Sequence, residues 1–72
     1  MTGEMRRRRA EAAEREEQRR QYLAGMAQTR QELNQAYAQF NMQSDPDLVD
    51  SCVFTINALR SRSSYFVRQM KL

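Results

Sequence analysis

The chain has 72 residues and a formal net charge of +3, from twelve Lys and Arg residues and nine Asp and Glu residues. A chain of this length forms one small domain, which leaves little room for an enclosed substrate pocket. It has no His, no Trp and one Cys, so the usual general-base and metal-ligand clusters cannot be assembled. We therefore expect no enzymatic activity, no cofactor, no bound metal and no small-molecule substrate.

Hydropathy and cysteine usage bear on the compartment. No apolar run approaches the ~18 residues of a membrane span, and the N-terminus lacks the apolar segment of a secretory signal. Cys52 is the one thiol, so no intrachain disulfide indicates an oxidising compartment. The sequence thus predicts a cytoplasmic protein with no membrane partner.

Residues 1–20 are mostly Arg, Glu, Ala and Gln, which form helices well but give no apolar face. We expect a charged, partly frayed helical extension over this range. Arg6, Arg7, Arg8 and Arg9 are consecutive and can contact phosphates, although the glutamates that follow weaken the local positive potential.

An apolar stripe follows and predicts a first hairpin helix over about residues 21–41. Gly25 costs about 1 kcal/mol relative to Ala inside a helix. Arg30 interrupts the stripe, and its stem is expected to lie along the edge of the seam with its charge in water. The stripe begins at Tyr22 and continues through Leu23, Met26, Leu33, Tyr37 and Phe40.

A second helix is predicted over about residues 46–70. Asp45 suits the N-cap, Pro46 suits the first helical position, and Asp47 adds negative charge at the positive end of the helix dipole. Small or apolar residues then repeat at heptad spacing and indicate one seam for one partner helix. They are Val49, Cys52, Ile56, Leu59, Ser63, Phe66 and Met70.

Four residues, 41–44, separate the two stripes, a typical connection between antiparallel helices. The predicted fold is therefore all-α, an antiparallel two-helix hairpin over residues 21–72 that resembles a short coiled coil. Folding it about the connection predicts four pairs of seam residues, namely Tyr37 with Cys52, Leu33 with Ile56, Met26 with Ser63, and Leu23 with Phe66.

The side of the second helix opposite the seam carries a possible association face. Phe54, Ala58, Ser61 and Tyr65 recur at intervals of four, three and four residues, so they share one side of the helix. Two aromatic residues around two small ones suit the close approach of another helix. Because two helices alone bury little, we expect a dimer or a higher helical assembly, or a protein partner.

Basic residues are expected to gather at one pole of the hairpin, where they form either a solvated helix end or an anion-binding surface. The solvated end is favoured, because no nucleic-acid-binding module is recognisable. Besides residues 6–9, the candidate anion contacts are Arg19, Arg20, Arg60, Arg62, Arg68 and Lys71. The predicted function is a non-enzymatic helical interaction protein that binds a protein partner or itself. The alternative is an accessory, nonspecific nucleic-acid-binding protein that uses these Arg-rich segments.

Residues 33–71 also resemble a known family. The motifs are Ala36-Tyr37-x-x-Phe40-Asn41, Asp45-Pro46-Asp47-Leu48-Val49-Asp50, Val53-Phe54, Ala58, and Tyr65-Phe66-Val67-Arg68-x-x-Lys71. In these features the chain is similar to the YaaL-like proteins of Firmicutes, a group classed as a domain of unknown function. The resemblance implies a small, mainly helical, cytoplasmic bacterial protein, and it supplies no activity and no catalytic residues.

Overall fold

Two α-helices account for nearly all of the computed structural model, which describes residues 2–71. Helix α1 spans Thr2–Met42 and helix α2 spans Pro46–Met70. The helices pack against each other along α2, and the described residues contain no strand. The predicted all-α hairpin is confirmed. The predicted extension begins at Met1 and the predicted hairpin ends at Leu72, and these two residues lie outside the described residues.

Helix α1 continues without a break from the charged extension into the hairpin. Its 41 residues span about 60 Å, whereas the 25 residues of α2 span about 37 Å. The Cα atoms extend over 66 × 15 × 15 Å, so the first part of α1 projects beyond α2. Every residue from 2 to 21 is exposed, because these residues have no neighbouring helix to pack against.

The start of α2 is set by local chemistry. Asp45 has an extended backbone, and its carboxylate accepts hydrogen bonds from the N–H groups of Asp47 at 2.9 Å and Leu48 at 3.3 Å. These two N–H groups have no partner within the helix, so the cap satisfies them. Pro46 occupies the first helical turn, where its missing N–H costs no hydrogen bond. The chain therefore turns and restarts a helix within residues 43–45.

The predicted seam of α2 faces α1. Ile56 and Leu59 are buried, and the other five seam residues are half-buried. Leu33 of α1 packs against a cluster of Ala36, Ile56 and Leu59, which agrees with its predicted position beside Ile56. The burial of all seven residues confirms the seam.

The predicted seam of α1 is right only in part, because Tyr22, Met26 and Leu33 are half-buried but Leu23, Tyr37 and Phe40 are exposed. Leu23 and Tyr37, expected to face α2, are 47% and 42% exposed, whereas Thr29 and Ala36 are 1% and 4% exposed. The inward side of α1 is therefore rotated from the predicted stripe by less than the ~100° that separates successive residues. The exposure of Leu23 and Tyr37 does not support their predicted pairing with Phe66 and Cys52, and the most buried residues of α1 are the smaller Thr29 and Ala36.

Phe66 explains this rotation, because its ring lies directly on the backbone of α1. A Cβ atom added to Gly25 would lie 2.5 Å from Cζ of Phe66, closer than any side chain tolerates. Tyr22 packs beside the same ring, with centroids 6.4 Å apart. One turn further on, the Thr29 hydroxyl donates a 2.7 Å hydrogen bond to the carbonyl of Gly25, which satisfies this buried polar group.

Candidate interaction surfaces

The hairpin exposes more surface than a compact chain of its size. Its accessible surface is 6278 Å², whereas a compact 8.5 kDa monomer exposes roughly 4,700 Å². Folding removes only about half of the surface of the extended chain from water, compared with about 60% for a small globular domain. Only Ala36, Ile56 and Leu59 form the buried apolar core of the described residues. The molecule therefore has apolar surface available for association.

The outer face of α2, defined by Phe54, Ala58, Ser61 and Tyr65, is exposed as a set. Phe54 is 75% exposed, so most of its ring is in water. The Tyr65 ring leans on Phe66 with centroids 5.2 Å apart and an edge-to-face angle of 67°. The structure thus places the four predicted residues on one exposed face. Phe54 projects into water, whereas Tyr65 packs against Phe66.

One side of the groove between the helices is polar, and we call it the polar flank. Nη1 of Arg62 lies 2.8 Å from Oε2 of Glu32 and joins the two helices by an ion pair. The other residues along this groove include Gln35, Gln39 and Thr55. Arg62, predicted as a free anion contact, is therefore already paired with a carboxylate.

The opposite side is the apolar flank, which we define by Leu23, Arg30, Tyr37 and Val53. Each follows directly after a residue that faces the partner helix, so each lies about 100° further round its own helix. All four are exposed. Three of these residues had been assigned to the α1 seam or its edge from the sequence, and the structure places them beside it. The sequence alone does not distinguish a residue in the seam from a residue beside it, because both positions fit the heptad pattern.

The four consecutive arginines lie on the projecting part of α1, and all are exposed. Successive residues point about 100° apart, so residues 6–9 surround the helix and about two of them can face one surface. Nη2 of Arg8 also lies 2.9 Å from Oε1 of Glu4. The extension is therefore a charged rod rather than a single basic face.

A second basic group lies where α2 ends against α1. Arg15 and Arg19 line a groove together with Tyr22, Gln69 and Met70. Arg15 was missed from the sequence, although its position one turn before Arg19 could have indicated it.

The remaining predicted anion contacts are divided by the structure. Arg60, Arg68 and Lys71 are exposed. Nη1 of Arg20 lies 3.1 Å from Oε2 of Glu17, so that guanidinium has an acidic neighbour on its own helix. The predicted basic pole is therefore partly neutralised, and Arg19 is the predicted residue of α1 that lines the groove at the end of α2.

The fold and these surfaces define a small all-α hairpin with two exposed apolar faces. Neither helix of residues 2–71 is long and apolar enough to cross a membrane. Comparison of the chain with protein-family models, with curated proteins and with solved structures finds no match. The resemblance to the YaaL-like family therefore stays a prediction that rests on the motifs quoted above.

Proposed function

We propose that this chain is a non-enzymatic helical interaction protein that binds a second copy of itself or another protein through its exposed helix faces. The observation that carries the proposal is the surface of 6278 Å² beside a core of three buried apolar residues within residues 2–71. A chain near 70 residues rarely gains more than about 3–5 kcal/mol from its own core. Association supplies the burial that the isolated hairpin lacks.

The outer face of α2 supports binding to another protein. Aromatic residues, Phe among them, are enriched at the cores of protein interfaces, where a few buried anchors carry most of the binding energy. Phe54 is 75% exposed, and the neighbouring small residues Ala58 and Ser61 allow a helix backbone to approach. We place this binding in the cytoplasm, which the lone Cys52 and the resemblance to the YaaL-like family support.

The test compares a Phe54→Ala/Tyr65→Ala double variant with the wild-type chain. We expect proteins that co-purify with the wild type from its source cells to be lost with the double variant. Leu48→Ala with Val67→Ala is the matched control, because it removes exposed apolar surface elsewhere on α2. If the double variant retained every associated protein, and the wild-type chain also sedimented as a monomer at all concentrations, the proposal would fail.

Nonspecific nucleic-acid binding is a second candidate, favoured by the exposed arginines of the projecting helix and by Arg15 and Arg19 at the end of α2. Since about two of residues 6–9 can face one strand, replacing all four by Ala should lower the salt slope of binding by about 2. Fluorescence anisotropy of labelled DNA at two salt concentrations measures this slope. Absence of binding at low salt would eliminate this candidate.

A further inference from the structure

The side of α1 that carries Leu23, Arg30 and Tyr37 continues into the N-terminal extension, which we define as residues 2–20, as a mixed stripe of charged, small and apolar residues. Met5, Ala12 and Glu16 precede Leu23 by 18, 11 and 7 residues. These separations are close to whole numbers of helical turns, so the three residues lie on the same side of α1 as Leu23. Because α1 is one unbroken helix, this stripe runs along its whole length, beside the seam that α2 occupies.

The charges on this stripe are arranged symmetrically. Glu16 lies seven residues before Leu23, and Arg30 lies seven residues after it. Leu23 is also close to the midpoint of Thr2–Met42. If two α1 helices pack antiparallel about Leu23, the Glu16 carboxylate of each copy therefore meets the Arg30 guanidinium of the other.

The same symmetry places a second complementary pair further out. Arg9 lies fourteen residues before Leu23, and Tyr37 lies fourteen residues after it. An arginine over the face of a tyrosine ring is attractive through the ring quadrupole. Ala12, between Arg9 and Glu16, is small and allows the two backbones to approach. Each extension then covers the exposed Tyr37 of the other copy.

We propose that the chain forms a homodimer in which the two α1 helices pack antiparallel about Leu23. The extension of each copy lies on the apolar flank of the other, so that each two-helix hairpin becomes a three-helix bundle. The inference rests on the self-association form of the proposed function and deepens it by naming the surface and the orientation.

The area available agrees with a stable dimer. A helix about 60 Å long and about 10 Å wide offers roughly 600 Å² per copy, near the ~800 Å² per partner of a standard interface. Electrostatics sets the direction, because a parallel pair would place Glu16 against Glu16 and Arg30 against Arg30. Juxtaposed like charges disfavour that arrangement.

Charge reversal tests the arrangement, with the dimer dissociation constant of the full chain measured by sedimentation. Glu16→Arg alone and Arg30→Glu alone should each weaken the dimer about tenfold or more, since each creates two like-charge contacts. The Glu16→Arg/Arg30→Glu double variant should recover near wild-type affinity. An equimolar mixture of the two single variants should recover it too, because a mixed dimer restores both pairs.

The control is Glu14→Arg, which makes the same charge change two residues away. Two residues correspond to about 200°, so position 14 lies away from the stripe, and the dimer should keep its affinity. All the substituted side chains are exposed, so the variants keep the hairpin.

Each adverse outcome identifies what has failed. A wild-type chain that sediments as a monomer at every concentration overturns the dimer, and the binding of a different protein through Phe54 is then tested separately. A dimer that is unchanged by the single reversals, as a parallel pair would be, overturns the antiparallel arrangement and leaves self-association standing. A double variant as weak as the single variants also overturns the proposed pairing.

Discussion

The two helices of the hairpin present opposite kinds of inward face. Helix α2 points Ile56, Leu59 and Phe66 toward its partner, whereas α1 offers Gly25, Thr29 and Ala36 at the positions of closest approach. Two large apolar residues of α1, Leu23 and Tyr37, lie to one side and stay exposed, while Leu33 packs beside the core. An apolar stripe in the sequence therefore indicates roughly which side of a helix packs against a neighbour. The shapes of the side chains on both helices decide which residues of the stripe become buried.

The largest expected effect is the difference in folding stability between a substitution on the inward face of α2 and a substitution on the exposed side of α1. Leu59→Ala should destabilise folding by about 2–5 kcal/mol, because it leaves a cavity beside Ala36 and Ile56 in the core. Leu23→Ala should cost less than about 1 kcal/mol in dilute solution, where Leu23 is half in water. Urea unfolding followed by circular dichroism measures both values. Equal losses would show that Leu23 faces α2 after all.

A second comparison uses the two glycines of α1. Gly25→Leu should destabilise the hairpin by about 1–3 kcal/mol, because the new side chain meets the Phe66 ring. Gly3→Leu, where a Cβ has no neighbour within 4 Å, should be neutral or stabilising through helix propensity.

Phe66→Ala combined with Gly25→Leu should recover part of the lost stability, since removing the ring opens the space that the leucine needs. Thermal unfolding of the wild type, the Gly25→Leu and Phe66→Ala single variants and the double variant closes this cycle. If Gly25→Leu and Gly3→Leu changed the stability of the hairpin equally, the contact of the Phe66 ring with the α1 backbone would not control the rotation of α1.

The smallest expected effect concerns the polar flank. The Glu32–Arg62 pair is half in water, so its coupling energy should be about 0.2–1 kcal/mol and should fall with added salt. A double-mutant cycle with Glu32→Gln and Arg62→Gln measures the coupling. A coupling above about 2 kcal/mol would mean that this flank fixes the helix register, a role we assign to Phe66.

Part of the candidate site follows from periodicity alone. The outer face of α2 could be found because Phe54 and Tyr65 lie opposite a single, regular seam, and the structure shows both exposed. The apolar flank could not be found, because its residues share heptad spacing with the true seam of α1. Arg62 also could not be recognised as paired, since its partner Glu32 lies thirty residues away.

The sequence by itself determined the helical hairpin, the start of α2 and the inward face of α2. Helix propensity, the Asp45 cap, Pro46 and the regular seam are local properties, so they can be read from neighbouring residues. Only the tertiary structure decided how α1 rotates against α2. The rotation depends on how the Phe66 ring fits against the backbone at Gly25. These residues lie 41 positions apart in the chain, and the hydropathy pattern of either helix alone does not predict the fit of their shapes.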